Sequence, residues 1–147
     1  MGFSTKHIAD APKSIAEVLK YKNGFHLVGI RSIVLPGTKE NIAKPLIENI
    51  SGGKCGEGFG LCYNPELLAL GRFVKDFLNP DVVLIGESDP RSGELLSQIY
   101  HQVCDNGPPI VGTTTSNAEL LGCWRILDRS EFDKKLEYMA IGLGRGY

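Results

Sequence analysis

Asn79-Pro80-Asp81-Val82-Val83-Leu84-Ile85-Gly86, followed shortly by Asp89-Pro90, decides the fold. Four apolar residues, three of them β-branched, stand between two turn signals, the pattern of a strand covered on both faces. Asp89-Pro90 then opens a helix whose apolar positions are Leu95, Leu96, Ile99, Tyr100 and Val103. Asp105-Asn106-Gly107-Pro108-Pro109 breaks that helix, and Ile110-Val111 begins a further short strand. Ser116-x-x-Glu119 has the form of a capping box and predicts a helix from Asn117.

The same alternation runs back toward the N-terminus. Asp10 suits the cap of a helix opening near Pro12, with Ile15, Ala16, Val18 and Leu19 as its buried stripe and Asn23-Gly24 as its stop. Phe25 to Val34 is a mostly apolar run that predicts a second central strand, beside Val82–Ile85. Thr38 is the expected N-cap of a helix reaching about Ile50, kinked or split at Pro45. Ser51 to Gly60 reads as a loop and Leu61-Cys62-Tyr63 as a short strand ending at Asn64-Pro65. A helix from about Glu66 to Phe77 follows.

Strands separated by helices of about 10–15 residues imply β-α-β units. The fold class is α/β, a three-layer sandwich around a mostly parallel sheet of about four or five strands, with right-handed crossovers. Ligands of such sheets lie beyond the carboxyl ends of the strands, which singles out the loops 31–38, 63–67, 85–90 and 111–117. The chain has 147 residues, 42% apolar and 22% charged, which excludes a disordered or fibrous chain and suits one globular core. Sixteen basic and seventeen acidic side chains give a net charge of −1, with no basic stripe for nucleic acid. No apolar run approaches the roughly 20 residues that cross a bilayer, and the N-terminus has no hydrophobic signal region, so a cytoplasmic location is expected.

The chemistry-bearing motifs are few. Cysteines at 55, 62, 104 and 123 form no C-x-x-C pair, and with three histidines no metal site is expected; they read as small buried apolar residues. Gly56-Glu57-Gly58-Phe59-Gly60 precedes a strand rather than opening a helix, and Gly142-Leu143-Gly144-Arg145-Gly146 opens none either. Neither has the arrangement of a phosphate-gripping loop. Glu66, at a strand-to-helix turn, suits a general base or water-orienting group, or simply a first-turn carboxylate favoured by the helix dipole.

Arg31-Ser32-Ile33-Val34-Leu35-Pro36-Gly37-Thr38, Cys62-Tyr63-Asn64-Pro65-Glu66-Leu67-Leu68-Ala69-Leu70-Gly71, Asp76-Phe77-Leu78-Asn79-Pro80-Asp81, Val83-Leu84-Ile85-Gly86 and Asn117-Ala118-Glu119-Leu120 together resemble the UDP-glucose/GDP-mannose dehydrogenase family. The resemblance covers about residues 8–121 and implies the second half of a Rossmann-like NAD-binding domain. Residues 122–147, with Cys123-Trp124-Arg125-Ile126-Leu127-Asp128 and Glu137–Ile141, resemble the end of the family's C-terminal UDP-binding domain. Glu137–Ile141 is expected as an edge strand or a loose tail.

The resemblance implies NAD as cofactor and a nucleotide sugar as substrate, oxidised at C6 from alcohol to acid through a cysteine thiohemiacetal and thioester. Carried over residue by residue, it implies Glu66 as catalytic, Ser32 and Ile33 beside the cofactor, and Leu67, Leu68 and Leu70 along the substrate. This sequence departs from the family at several points. Ile33 stands where the family has a threonine, Leu70 where it has a second glutamate, and Gly122 and Ile126 where it has a lysine and an asparagine. The dinucleotide glycines and the G-G-x-C-x-P nucleophile context do not occur in these 147 residues. The expectation is an internally truncated family member that does not turn over alone. The alternatives are a non-catalytic module pairing with itself, with a full-length homologue or with a separately encoded partner, or an unrelated flavodoxin-like domain.

Overall fold

The computed structural model describes residues 6–65 and 73–122, with α1 (Lys6–Leu19), β1 (His26–Ile30), a π-helical turn (Lys39–Ala43) running into α2 (Lys44–Ser51), β2 (Phe59–Tyr63), α3 (Phe73–Leu78), β3 (Val83–Glu87), α4 (Pro90–Val103), β4 (Ile110–Thr114) and α5 (Thr115–Gly122). The strands lie in the order β1-β2-β3-β4. β1 pairs with β2 and β3 with β4 in parallel, while β2 meets β3 antiparallel through Cys62↔Glu87 and Tyr63↔Gly86.

Alternation along the strands sorts the core into two faces. Val28, Ile30, Phe59, Leu61, Tyr63 and Leu84 face α1, α2 and α5, where Ala16, Ile47 and Ala118 meet them. Leu27, Cys62, Val83 and Ile85 face the opposite layer, against Tyr100, Leu96 and Cys104 with Phe77 of α3. Glycine sets the closeness of one packing layer: a Cβ on Gly86 would stand 2.5 Å from Ala118 Cβ and 3.0 Å from Thr115 Cα. No described helix is long and apolar enough to cross a membrane.

Several expectations need correction. Val82–Ile85 is central, as β3, but Phe25–Val34 contributes only His26–Ile30, which is an edge strand among the described residues. The fully buried inner strand beside β3 is β2, read from the sequence only as a short strand over Leu61–Tyr63. The first helix begins at Lys6 and contains Pro12, because a proline in the second turn forfeits one hydrogen bond while its ring packs inward, buried. Thr38 makes no capping hydrogen bond. The break at Pro45 is resolved by a π-turn, with Lys44 N donating to Lys39 O, which leaves Pro45 at the start of α2 where no amide is needed. α5 begins at Thr115, before the capping box. Because β3 and β4 run against β1 and β2, the four marked loops do not share one edge of the sheet. Glu137–Ile141 lies outside the described residues.

Candidate functional site

The parallel ends of β1 and β2 form the described part of the site. Ile30 is paired with Tyr63, and Asn64 N donates to Ile30 O at 2.9 Å. Asn64 is buried and both polar atoms of its side chain are bonded: Nδ2 donates to Leu84 O (2.9 Å), and Oδ1 accepts from Tyr100 Oη (2.6 Å). One residue thus ties together β1, β3 and α4. Burial pushes the Tyr100 phenol above its usual range, against the nearby charge of Arg31. The Arg31 guanidinium lies over the Phe77 ring, 5.2 Å from its centroid.

From this fixed point the chain emerges in two segments. Ser32 and Ile33 leave β1 exposed, Ile33 retaining 49% of its surface. Pro65 leaves β2, and the expected site residues Glu66, Leu67, Leu68 and Leu70 lie outside the described residues. Ile33 can lie against a flat ring, but having no hydroxyl it cannot hold a water.

The loop beyond Ile33 is anchored by a residue the sequence reading assigned elsewhere. Glu119 is wholly buried, and its carboxylate accepts from Gly37 N (2.7 Å) and Lys39 N (3.0 Å). It does not close a capping box with Ser116; it caps the π-turn from across the fold. Gly37 takes φ 83°, a left-handed conformation suited to glycine, which lets both amides converge on one carboxylate. Lys39 is also fully buried, with its ammonium on Thr115 Oγ1 and 3.6 Å from Glu40 Oε1. Burial pulls the Lys39 pKa down, with Glu40 opposing. Two buried pairs, Asn64 with Tyr100 and Glu119 with Lys39, were not read from the sequence as contacts. The only sequence signals were polar residues inside apolar surroundings, which name no partner.

These contacts bear on the cofactor. A pyrophosphate is gripped by free amides at a helix start, yet the amides of Gly37 and Lys39 are taken by Glu119. The start of α4 is taken by Asp89, which accepts from Ser92 N (3.0 Å) and Ser92 Oγ (2.6 Å). In the glycine-rich loop, Gly56 N donates to Phe59 O (2.7 Å) and Gly58 N to Lys54 O (2.9 Å), so it is a connector, as expected. Among the described residues, then, Ser32 and Ile33 are exposed just past the end of β1, and these three places do not fit a pyrophosphate.

The thiols are equally informative. Cys62 is buried and its pKa is pushed up to about 12; burial raises Cys55 and Cys104 as well. All three rest as neutral thiols near pH 7, poor nucleophiles. Cys123 lies outside the described residues, among which no cluster of three metal-ligating side chains occurs.

Comparison with known proteins gives one consistent family. Residues 3–104 match the model of the UDP-glucose/GDP-mannose dehydrogenase family, NAD binding domain. The chain is 38% identical over 115 residues to a GDP-mannose 6-dehydrogenase of Pseudomonas aeruginosa, a match covering 78% of this chain and 26% of that protein. A UDP-glucose 6-dehydrogenase of Haloferax volcanii is 37% identical over 113 residues, 76% of this chain and 26% of its own length. The crystal structure of a ternary complex of the Pseudomonas aeruginosa GDP-mannose dehydrogenase superimposes with a TM-score of 0.78 at 36% identity, covering 84% of this chain and 28% of that one. A UDP-glucose dehydrogenase from Pyrobaculum islandicum follows at 0.73 and 28% identity, covering 82% and 27%. The chain therefore spans about a quarter of the length of the relatives it matches.

Proposed function

Because the chain belongs to the UDP-glucose/GDP-mannose dehydrogenase family, whose cofactor is NAD, we propose that residues 8–121 form part of the NAD-binding domain of a nucleotide-sugar 6-dehydrogenase and do not catalyse alone. Residues 122–147 then belong with the family's UDP-binding domain. The overall reaction is the four-electron oxidation of a primary alcohol to a carboxylate, with water as the oxygen source and two NAD⁺ as hydride acceptors. Ser32 and Ile33 contribute a wall beside the cofactor. Glu66 is the acid-base or water-orienting group, with Leu67, Leu68 and Leu70 along the sugar nucleotide.

The observation that carries the non-catalytic reading is the state of the thiols. Covalent oxidation of an aldehyde to an acid needs a thiolate; burial disfavours that form at the described thiols Cys55, Cys62 and Cys104, and none of the four cysteines stands in the family's G-G-x-C-x-P context. The occupied amides at Gly37 and Lys39 support weak cofactor affinity in the same way.

The test is NADH formation from GDP-mannose and UDP-glucose by wild type and by Glu66→Gln, with calorimetric titration of NAD⁺ alongside. Flat traces from both proteins and no low-micromolar NAD⁺ binding are expected. Wild-type turnover that falls by about 10²-fold in Glu66→Gln would overturn the non-catalytic reading while keeping Glu66's assignment.

A further inference from the structure

Among the lysines with described side chains, Lys39 alone is buried, and none of its side chain reaches solvent. Its two ends are held at different places on α5. The backbone N–H donates to Glu119 Oε1 (3.0 Å), while the side-chain amine lies on Thr115 Oγ1, one turn earlier in the helix. Thr115 Oγ1 donates in turn to Glu87 O (3.2 Å), so its lone pairs are free to accept from Lys39. Lys39 therefore runs as a strut along α5, from the loop that carries Gly37 to the far end of β3.

This seat suits an amine better than an ammonium. A hydroxyl is partner enough for an uncharged amine, whereas a buried ammonium needs a counter-charge. The Glu119 carboxylate is already bonded to Gly37 N and Lys39 N. Glu40 Oε1 stands 3.6 Å from the amine, but Glu40 is 38% exposed and its other oxygen holds Lys44 Nζ at 3.2 Å. Cys62 of β2 and Cys55 before it also face Lys39, both as neutral thiols near pH 7. Glu87 contributes only its carbonyl, because its carboxylate lies against Gly93 of α4. On α1, which packs on the π-turn, the described charged side chains of Asp10, Lys13 and Glu17 are exposed.

The turn that carries Lys39 has two registers open to it. In the π-turn Lys39 O accepts from Lys44 N; in an α-helical register it accepts from Ala43 N instead. Pro45 supplies no N–H, so neither register gains a bond at that position. Tightening the turn rotates Lys39 about the axis of α2, which Ile47 anchors in the core. We propose that Lys39 is a proton-sensitive latch on the loop 31–38. Seated uncharged on Thr115, it clamps the π-turn to α5; once protonated, it swings out to Glu40 and the turn loosens from Glu119. The loop so released carries Ser32 and Ile33, just past the end of β1. The inference is independent of the catalytic reading.

NMR titration of the isotope-labelled lysine side chains in the 147-residue chain, with amide exchange over the same pH range, tests it. Burial should make Lys39 titrate below 10.5, apart from the exposed lysines, and Glu40→Gln should lower its midpoint further. As pH falls through that midpoint, protection of the Gly37 and Lys39 amides should drop about ten-fold or more while β3 stays protected. In Lys39→Met that drop should vanish. Between the lowered midpoint and 10.5 the folded chain binds fewer protons than the unfolded one. Relative to Lys39→Met, wild type should therefore gain stability as pH rises through that window and lose it as pH falls. A Lys39 midpoint at or above 10.5, or no titration while the fold is intact, would overturn the proposal. An unchanged midpoint in Glu40→Gln would overturn it, as would Gly37 and Lys39 protection that stays constant across the midpoint or falls equally in Lys39→Met. If Lys39→Met does not fold, the wild-type titration and exchange decide the matter.

Discussion

Glu119 and Gly37 stand 82 positions apart in the chain, and the carboxylate of the wholly buried Glu119 accepts the Gly37 amide at 2.7 Å. With Lys39 N on its other oxygen at 3.0 Å, Glu119 caps a turn in which Thr38, the local candidate, makes no capping bond. Glu119→Gln replaces one acceptor oxygen with an NH₂ facing a backbone N–H. The expected cost is about 2–3 kcal/mol, the range for a lost charge-assisted bond with a buried donor left unpaired. Urea unfolding measures it, and faster amide exchange at Gly37 and Lys39 locates it.

The approach of α5 to β3 leaves no room for a methyl group at Gly86. Gly86→Ala should destabilise by about 1–3 kcal/mol through overpacking. Ala118→Gly in the same molecule removes the atom at 2.5 Å and should recover part of the loss. A double-mutant cycle with no coupling between the two positions would contradict the stated packing.

Cys62 links stability to pH. Its thiol pKa is raised from 9.0 to about 12 by burial, so the unfolded chain ionises first. Stability from this group is present below pH 9.0 and is lost as pH rises toward about 12, at most about 4 kcal/mol in all. Cys62→Ala should be about 1–2 kcal/mol less stable than wild type near neutral pH. That gap should close, then invert, as pH climbs above 9.0. Mass-spectrometric mapping after iodoacetamide treatment of the native protein at neutral pH should leave Cys62 and Cys104 unlabelled.

Tyr100→Phe removes the donor to Asn64 Oδ1 and leaves a buried acceptor unpaired. A loss of about 1–2 kcal/mol is expected. The bond from Asn64 Nδ2 to Leu84 O (2.9 Å) should persist, so the β1–β2–β3 core keeps its amide protection. A variant as stable as wild type would show that water replaces the phenol.

Much of this protein was legible in its sequence because it is local physics. Asp89-Pro90 carries a cap and a first-turn proline that favour a helix start, Val83-Leu84-Ile85 is too apolar to leave in water, and Cys62 and Cys104 behave as buried apolar residues. The ordered motifs identified the family, and β2 ends before Asn64-Pro65, as expected. What the sequence could not decide was which elements are neighbours. An apolar strand reads alike with one neighbour or two, so Phe25–Val34 looked central while His26–Ile30 is an edge and Phe59–Tyr63 is the buried strand. The antiparallel seam between β2 and β3 leaves no local mark either, and it separates loops that a uniformly parallel sheet would have gathered. A carboxylate in a sequence is only an acceptor awaiting a donor: Glu119 looked like the partner of Ser116 three positions away. Packing of α5 against β3 carried it instead to Gly37 and Lys39, where a buried charge could be satisfied.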